Sequence, residues 1–321
     1  MRAQSFFSSL AIFRGLGALL LALPLLAAAP APLPATFPTP DAGVEALVAA
    51  LQAKDGDRLK ALFGPQGMTT IVSGDPVSDE TDRTQFLAAY ATKHAIDTKG
   101  DVATLSIGST DWPFPIPLAK AATGWSFDVK AGEEELLNRR IGANELYIQQ
   151  VMLAYTDAQF DYASTFHDGH RIHVYAERLL STAIKQDGLY WETAEGQKPS
   201  PLGPLVAEAT AAGYRPGKGP VQPFHGYYFK TLTAQGPSAP GGAYDYKVNG
   251  LLLGGFALVA WPANWGHTGI QTFIINQAGE VYQKDLGPNS AERARAMLRY
   301  DPDPSWTKIG APAPFPGEAD E

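Results

Sequence analysis

The chain has 321 residues, a net charge of −8 and no cysteine. Those facts exclude disulfides, thiolate metal sites and cysteine nucleophiles, and an acidic surface offers no electrostatic pull towards nucleic acid or anionic lipid. With 45% hydrophobic residues, stability has to come from packed cores, and a length of this order sets two domains as the expectation.

Residues 1–29 read as a secretory signal peptide. Arg2 and Arg14 make a basic start, and residues 16–29 are apolar and uncharged. That stretch is close to the ~7–15 residues of a signal core and short of the ~20 that span a bilayer. Cleavage is placed between Ala28 and Ala35; the alternative is an uncleaved N-terminal anchor. With no twin-arginine pair and no cysteine, neither a Tat address nor a lipoprotein anchor is available. Arg2 and Arg14 are the only charges before Asp41, so cleavage takes the net charge to −10. Residues 30–40 read as a Pro/Ala linker and residues 309–321 as a disordered tail. The expected product is a soluble periplasmic or secreted protein with no stable membrane insertion.

The first unit, residues 41–130, opens on Val44, Leu47, Val48 and Leu51 at helical spacing, resumed at Leu59, Leu62 and Phe63 after Asp55-Gly56-Asp57. A short helix over residues 82–94 follows. The period then changes, and residues 102–107, 112–118 and 125–129 read as strands between turn-rich segments. Pro113, Pro115 and Pro117 recur at every second position, which fits either an outer edge strand or a polyproline segment over the sheet. Helices followed by a small antiparallel sheet make an α+β layer, faintly similar to a cystatin-like or nuclear-transport-factor-like cone.

The second unit, residues 131–308, begins with the longest helix. Glu133, Glu134 and Glu135 suit its N-terminus, and Ile148, Val151, Met152, Tyr155, Ala158, Tyr162 and Phe166 form its apolar stripe. A helix is expected over residues 175–184 and a short one ending at Gly213. Strands follow at residues 227–233, 256–261, 270–276 and 280–284, with a last helix over residues 290–298. The second of these strands is apolar throughout and reads as covered on both faces. The fold expected is α+β, one long helix on a four-stranded antiparallel sheet.

Several uncommon strings occur in order. They are Arg139-Arg140-Ile141-Gly142-x-Asn144-Glu145-Leu146, Gln186-Asp187-Gly188-Leu189-Tyr190-Trp191 and Ser200-Pro201-Leu202-Gly203-Pro204-Leu205, then GYYFKTLTAQGPSAPGGAYDY from Gly226, GFALVAWPANWGHTG from Gly255 and VYQKDLG from Val281. Together they resemble the bacterial domain-of-unknown-function family 2950. The resemblance spans residues 41–308 and implies an exported bacterial protein with these two domains; it implies no activity. The order of elements from Glu133 to Lys284 is also similar to the globular part of type II secretion pseudopilins and pilins. The long helix here departs from theirs: it is amphipathic, carries Gln149, Gln150 and Asp157, and begins far from the N-terminus.

His167, His170 and His173 are the densest set of metal-ligating side chains. Asp168-Gly169 breaks helical continuity between them and no partner motif supports a site, so a solvated turn is the reading and no metal or cofactor is expected. No Gly-x-Ser-x-Gly, Ser-x-x-Lys or His-Glu-x-x-His string occurs. A hydrolytic site would have to come from His225 or His267 with Asp245 or Asp285. Aromatic residues crowd the second unit, and Tyr227, Tyr228, Tyr244, Tyr246 and Trp265 are candidates for ligand binding, with alternate strand positions given to the core. The leading expectation is non-enzymatic binding of an envelope protein, a peptide or a glycan, with no nucleic-acid partner. The alternatives are a periplasmic hydrolase and a solute-binding cleft between the domains.

Overall fold

The computed structural model describes residues 34–310 apart from residues 168, 195 and 216–220. The expected signal peptide, nearly all of the expected tail and Asp168 lie outside the described residues. The expected linker is shorter than residues 30–40. Ala35 donates to the Ala61 carbonyl, Phe37 exchanges backbone hydrogen bonds with Trp125, and both side chains pack on the N-terminal core. Ile309, assigned to the tail, likewise donates to the Val281 carbonyl.

Three helices come first, each started by a side chain that accepts from an otherwise unpaired N–H. Thr39 caps α1 (Pro40–Ala53), Asp55 caps α2 (Gly56–Ile71) and Asp75 caps α3 (Pro76–Thr92). Helix α2 kinks at Gly64, where φ is 74°, just before Pro65. The sheet that follows contains β1 (His94–Lys99), β2 (Val102–Ile107), β3 (Trp112–Pro113), β4 (Leu118–Ala121) and β5 (Gly124–Phe127), all antiparallel. Val44, Leu47, Leu62, Phe63, Leu105, Ile107, Leu118 and Phe127 form its buried core.

The proline run begins on an outer edge, since β3 has no strand neighbour but β2 among the described residues. Strands β3 and β4 pair with successive stretches of β2, and β4 pairs onward with β5. The run is therefore split: Pro113 stands in a two-residue edge strand, and residues 114–117 leave the ladder before β4 enters the interior of the sheet, because prolines lack the donors that a continuous ladder needs.

Helix α4 (Val129–Ala163) is 35 residues long. Its N-cap is Asp128, whose carboxylate accepts from Ala131, so the Glu133–Glu135 acids sit beyond the cap. Instead, Glu133 accepts from the Thr70 hydroxyl and Glu135 pairs with Arg139. A Cβ on Gly132 would come within 2.3 Å of the Pro115 carbonyl oxygen, so glycine there lets the helix lie directly on the broken strand. Further along, Ile148, Met152, Tyr155 and Tyr162 enter the second core, as their spacing predicts. One end of α4 packs on α2 and the other on the C-terminal sheet, so a boundary at residue 130 assigns to one half a helix that serves both. The described residues belong to one compact unit.

The helix expected over residues 175–184 is instead strand β6 (Arg178–Leu180) with flanking loop, paired in parallel with β7 (Gly188–Tyr190). Helix α5 (Gly203–Ala211) matches the short helix expected before Gly213. Then come β8 (Tyr227–Leu232), the small ribbons β9 (Ala234–Gln235) with β10 (Tyr244–Asp245) and β11 (Lys247–Val248) with β12 (Leu251–Leu252), then β13 (Ala257–Pro262), β14 (Gln271–Asn276), β15 (Tyr282–Asp285), α6 (Ser290–Ala296) and β16 (Thr307–Lys308). The main sheet runs β16-β15-β14-β13-β8, five antiparallel strands where four were expected. Every residue of β13 is buried. Phe256, Leu258 and Ala260 face α4, while Ala257, Val259 and Trp261 face the α6 side with Leu232, Ile274 and Tyr300. No described helix is long and apolar enough to cross a membrane.

Candidate functional site

The chain enters β8 through a tight turn, residues 224–227. Phe224 and Tyr227 exchange both backbone hydrogen bonds. The two residues between them have positive φ, 46° at His225 and 72° at Gly226. This is the pattern of a type I′ turn, which matches strand twist but normally takes Asn, Asp or Gly first. A histidine held there stores backbone strain, and neighbouring groups hold it in place. Its ring stacks on Tyr147 at 3.9 Å between centroids, and Tyr147 donates to Glu208.

A clasp from the N-terminal layer fixes the same turn. The Asp75 side chain, 2% exposed, accepts from Val77 N and Ser78 N through Oδ1, which caps α3. Its Oδ2 accepts from the Tyr214 hydroxyl at 2.7 Å and from Gly226 N at 3.2 Å. Burial and the adjoining Asp75 carboxylate hold the Tyr214 phenol far above its ordinary range. Arg140, on α4, closes the junction by donating to the Thr70 and Ile71 carbonyls at 3.0 and 2.5 Å.

Burial lowers the pKa of His225, against the opposing pull of Asp75 and Glu208. A depressed folded-state value means that the neutral ring stabilises the fold fully above the ordinary histidine range near ~6.5, and that this contribution is lost as pH falls through the folded value. Wild type is therefore expected to lose stability between about pH 7 and about pH 5, and His225→Asn, which suits a positive φ, to lose less. Urea midpoints at the two pH values check this; equal losses would remove His225 as the cause.

Downstream of the turn lies a groove of about 440 Å³ lined by Leu179, Val221, Phe224, Tyr228, Trp261 and Arg295 among others. Tyr228 and Trp261 are cross-strand partners with rings 6.1 Å apart, and the Arg295 guanidinium lies 5.9 Å from the indole. Trp261 Nε1 is buried with no acceptor among the described residues, while Val221 on the rim is 83% exposed. A second cleft, of about 540 Å³, lies at the start of α5 beside Trp191 and Glu192.

Of the aromatic candidates, the adjacent Tyr227 and Tyr228 face opposite sides of the sheet, as strand alternation requires. Both Tyr227 and Tyr228 border the groove, but only Tyr228 is partly exposed. Tyr227 and Tyr246 are core residues, both fully buried; Tyr227 donates to the Gln271 carbonyl and Tyr246 to Gln235, and burial pushes the Tyr246 phenol up to about 12. Tyr244 packs edge-on against Tyr246, and Trp265 donates to Asp285. Among the described residues no hydrogen bond or ion pair joins the hydrolytic candidates to one another. His225 sits in the turn, Asp245 pairs with Arg299, Asp285 holds Trp265 and Gly287 N, and His267 Nδ1 is buried without a partner among the described residues. Of the histidine cluster, His167 contacts the Tyr162 carbonyl and Thr165 through Nε2, His173 contacts the Ala163 carbonyl through Nδ1, and the His170 amide closes a turn onto His167. Among the described residues no group of three His, Asp or Glu is placed to hold a metal ion.

Sequence reasoning missed Asp75, Tyr214, Tyr147 and Arg295. Asp75-Pro76 carries a readable signal, an N-cap before proline at the first helical position. Its second task, bonding Gly226, joins residues 151 apart and has no local signature. No curated protein and no solved structure matches the chain. Residues 34–309 match the model of the family described as Protein of unknown function (DUF2950), and the chain belongs to that family.

Proposed function

We propose that this is an exported protein, periplasmic or secreted, that binds a partner through the groove beside β8 and catalyses nothing there. The observation that carries the reading is the groove itself: aromatic and aliphatic walls, one exposed guanidinium and a buried indole N–H without an acceptor among the described residues. A concave apolar surface with a few convergent polar groups suits binding, and aromatic and arginine side chains are the usual anchors of interfaces. The export half of the reading rests on residues 1–29. Hydrolysis is the competing reading, and His225 beside Asp75 and Glu208 is its best placed base. Its ring has no hydrogen-bonded hydroxyl among the described residues, and a nucleophile–base pair requires one.

The test is a photo-crosslinking side chain at Val221 in cells expressing the full chain, followed by fractionation of the envelope. The expected result is an adduct of defined mass in the periplasmic or secreted fraction that is lost when Tyr228→Ala and Arg295→Glu are added. An adduct unchanged by those substitutions, no adduct, or a protein that stays in the cytoplasm overturns the proposal.

A further inference from the structure

The outer edge of β8 narrows the class of partner. Tyr227 directs both its N–H and its C=O away from β13, since both bond to Phe224. Backbone direction alternates along an antiparallel strand, so Phe229 and Thr231 also direct theirs outward. Strand order ends at β8, and neither residue's backbone groups have a partner among the described residues. Unpaired edges template further strands, and proteins commonly shield them with a charged side chain. Lys230 is the only charged residue of β8, and it provides no such shield. Its ammonium is tied to the Arg295 and Met297 carbonyls at 2.5 Å each.

We infer that the groove takes an extended segment of a partner protein, added as a strand to the free edge of β8, with apolar side chains at alternate positions and an acidic side chain at Arg295. The inference rests on the groove being the binding surface and names what fills it. Only the backbone of another extended chain supplies acceptors and donors at the spacing that Phe229 and Thr231 present. Side chains of such a strand point alternately to the two faces of the sheet. On one face they meet Tyr228 and Trp261, and on the other Leu179 and Phe224, all of which line the groove. Arg295 is exposed and lies over Trp261, whose Nε1 has no acceptor among the described residues. A carboxylate that draws Arg295 off the indole can accept from both, and charge-assisted hydrogen bonds of this kind are the strong ones.

The probe is a fluorescein-labelled nonapeptide of alternating valine and threonine around one glutamate, titrated against the full chain by fluorescence anisotropy. Two further peptides carry backbone N-methyl groups on alternate residues, one in each phase. Methylation in the phase that faces β8 is expected to weaken binding at least tenfold, and methylation in the opposite phase to leave it within about twofold, since only one set of N–H groups meets the edge. Arg295→Glu is expected to weaken binding of the parent peptide about tenfold and to be rescued by a glutamate-to-lysine peptide. Equal effects of the two methylation phases, or no binding of the parent peptide, overturn strand addition. The cross-link at Val221 reads the groove independently, so strand addition can fail while the groove stands. If both fail, the groove is not a binding surface.

Discussion

Asp75→Ala is expected to lower stability by about 3 kcal/mol or more, because removing a buried acceptor strands every donor it served. Four donors converge on that side chain: two amides of the first turn of α3, the Tyr214 hydroxyl and Gly226 N. Loss of an N-cap alone costs about 1 kcal/mol. The remainder comes from the Tyr214 hydroxyl and the Gly226 amide, both on buried residues that lose their acceptor. For a chain of this size that is a drop in Tm of roughly 6–10 °C, measurable by circular dichroism. Asp75→Asn keeps one oxygen acceptor and is expected to recover part of the loss. A shift below about 2 °C for the alanine variant would mean that the junction is not held this way.

Glu145→Ala is expected to cost about 2–3 kcal/mol by a comparable route in the other half of the molecule. Its Oε1 accepts from Ile270 N at 2.7 Å and Gln271 N at 2.9 Å, fastening α4 to the start of β14. The same carboxylate faces the Tyr227 hydroxyl, and together with burial it holds that phenol far above its ordinary range. There is little room to compensate. A Cβ on Gly269 would fall 2.0 Å from the Tyr227 hydroxyl oxygen, so the loop already touches the ring. Glu145→Gln keeps an acceptor of the same length and is expected to be the milder change. Amide hydrogen exchange at Ile270 and Gln271 should rise in Glu145→Ala before global unfolding; unchanged protection there would show that the two amides do not depend on this carboxylate.

The elements legible in the sequence were those whose burial repeats at a simple period. Strands β8, β13 and β14 and helix α1 were placed within a residue or two, except for a helix start that reached back to Pro40. Their apolar residues fill one face, or both faces in β13 and β14. Strand β1 gave no such signal, because five of its six residues are exposed and only Ile96 touches the core. Helix α3 buries none of its residues, so its hydrophobic spacing revealed only its second half. The error at residues 175–184 has a different cause. A three-residue parallel pair leaves no room for alternation to show, and its contact depends on Gly188, where a Cβ would come within 2.7 Å of the Leu180 backbone. At the candidate site, the aromatic crowding was visible and its division between groove and core was not, since Tyr227 and Tyr228 are adjacent and only the register with β13 tells them apart.

The bond from Asp75 to Gly226 also bears on when the protein can assume its native state. Its two ends are 151 residues apart, so the clasp cannot close until the greater part of the chain is available. Contacts of such long separation slow folding, because loop closure precedes any reward. An N-terminal segment bearing α1 to α3 can collapse early, but its junction surface stays open until β8 arrives. If the proposed export takes the chain across a membrane as an extended polymer, this lock can form only after Gly226 has passed through.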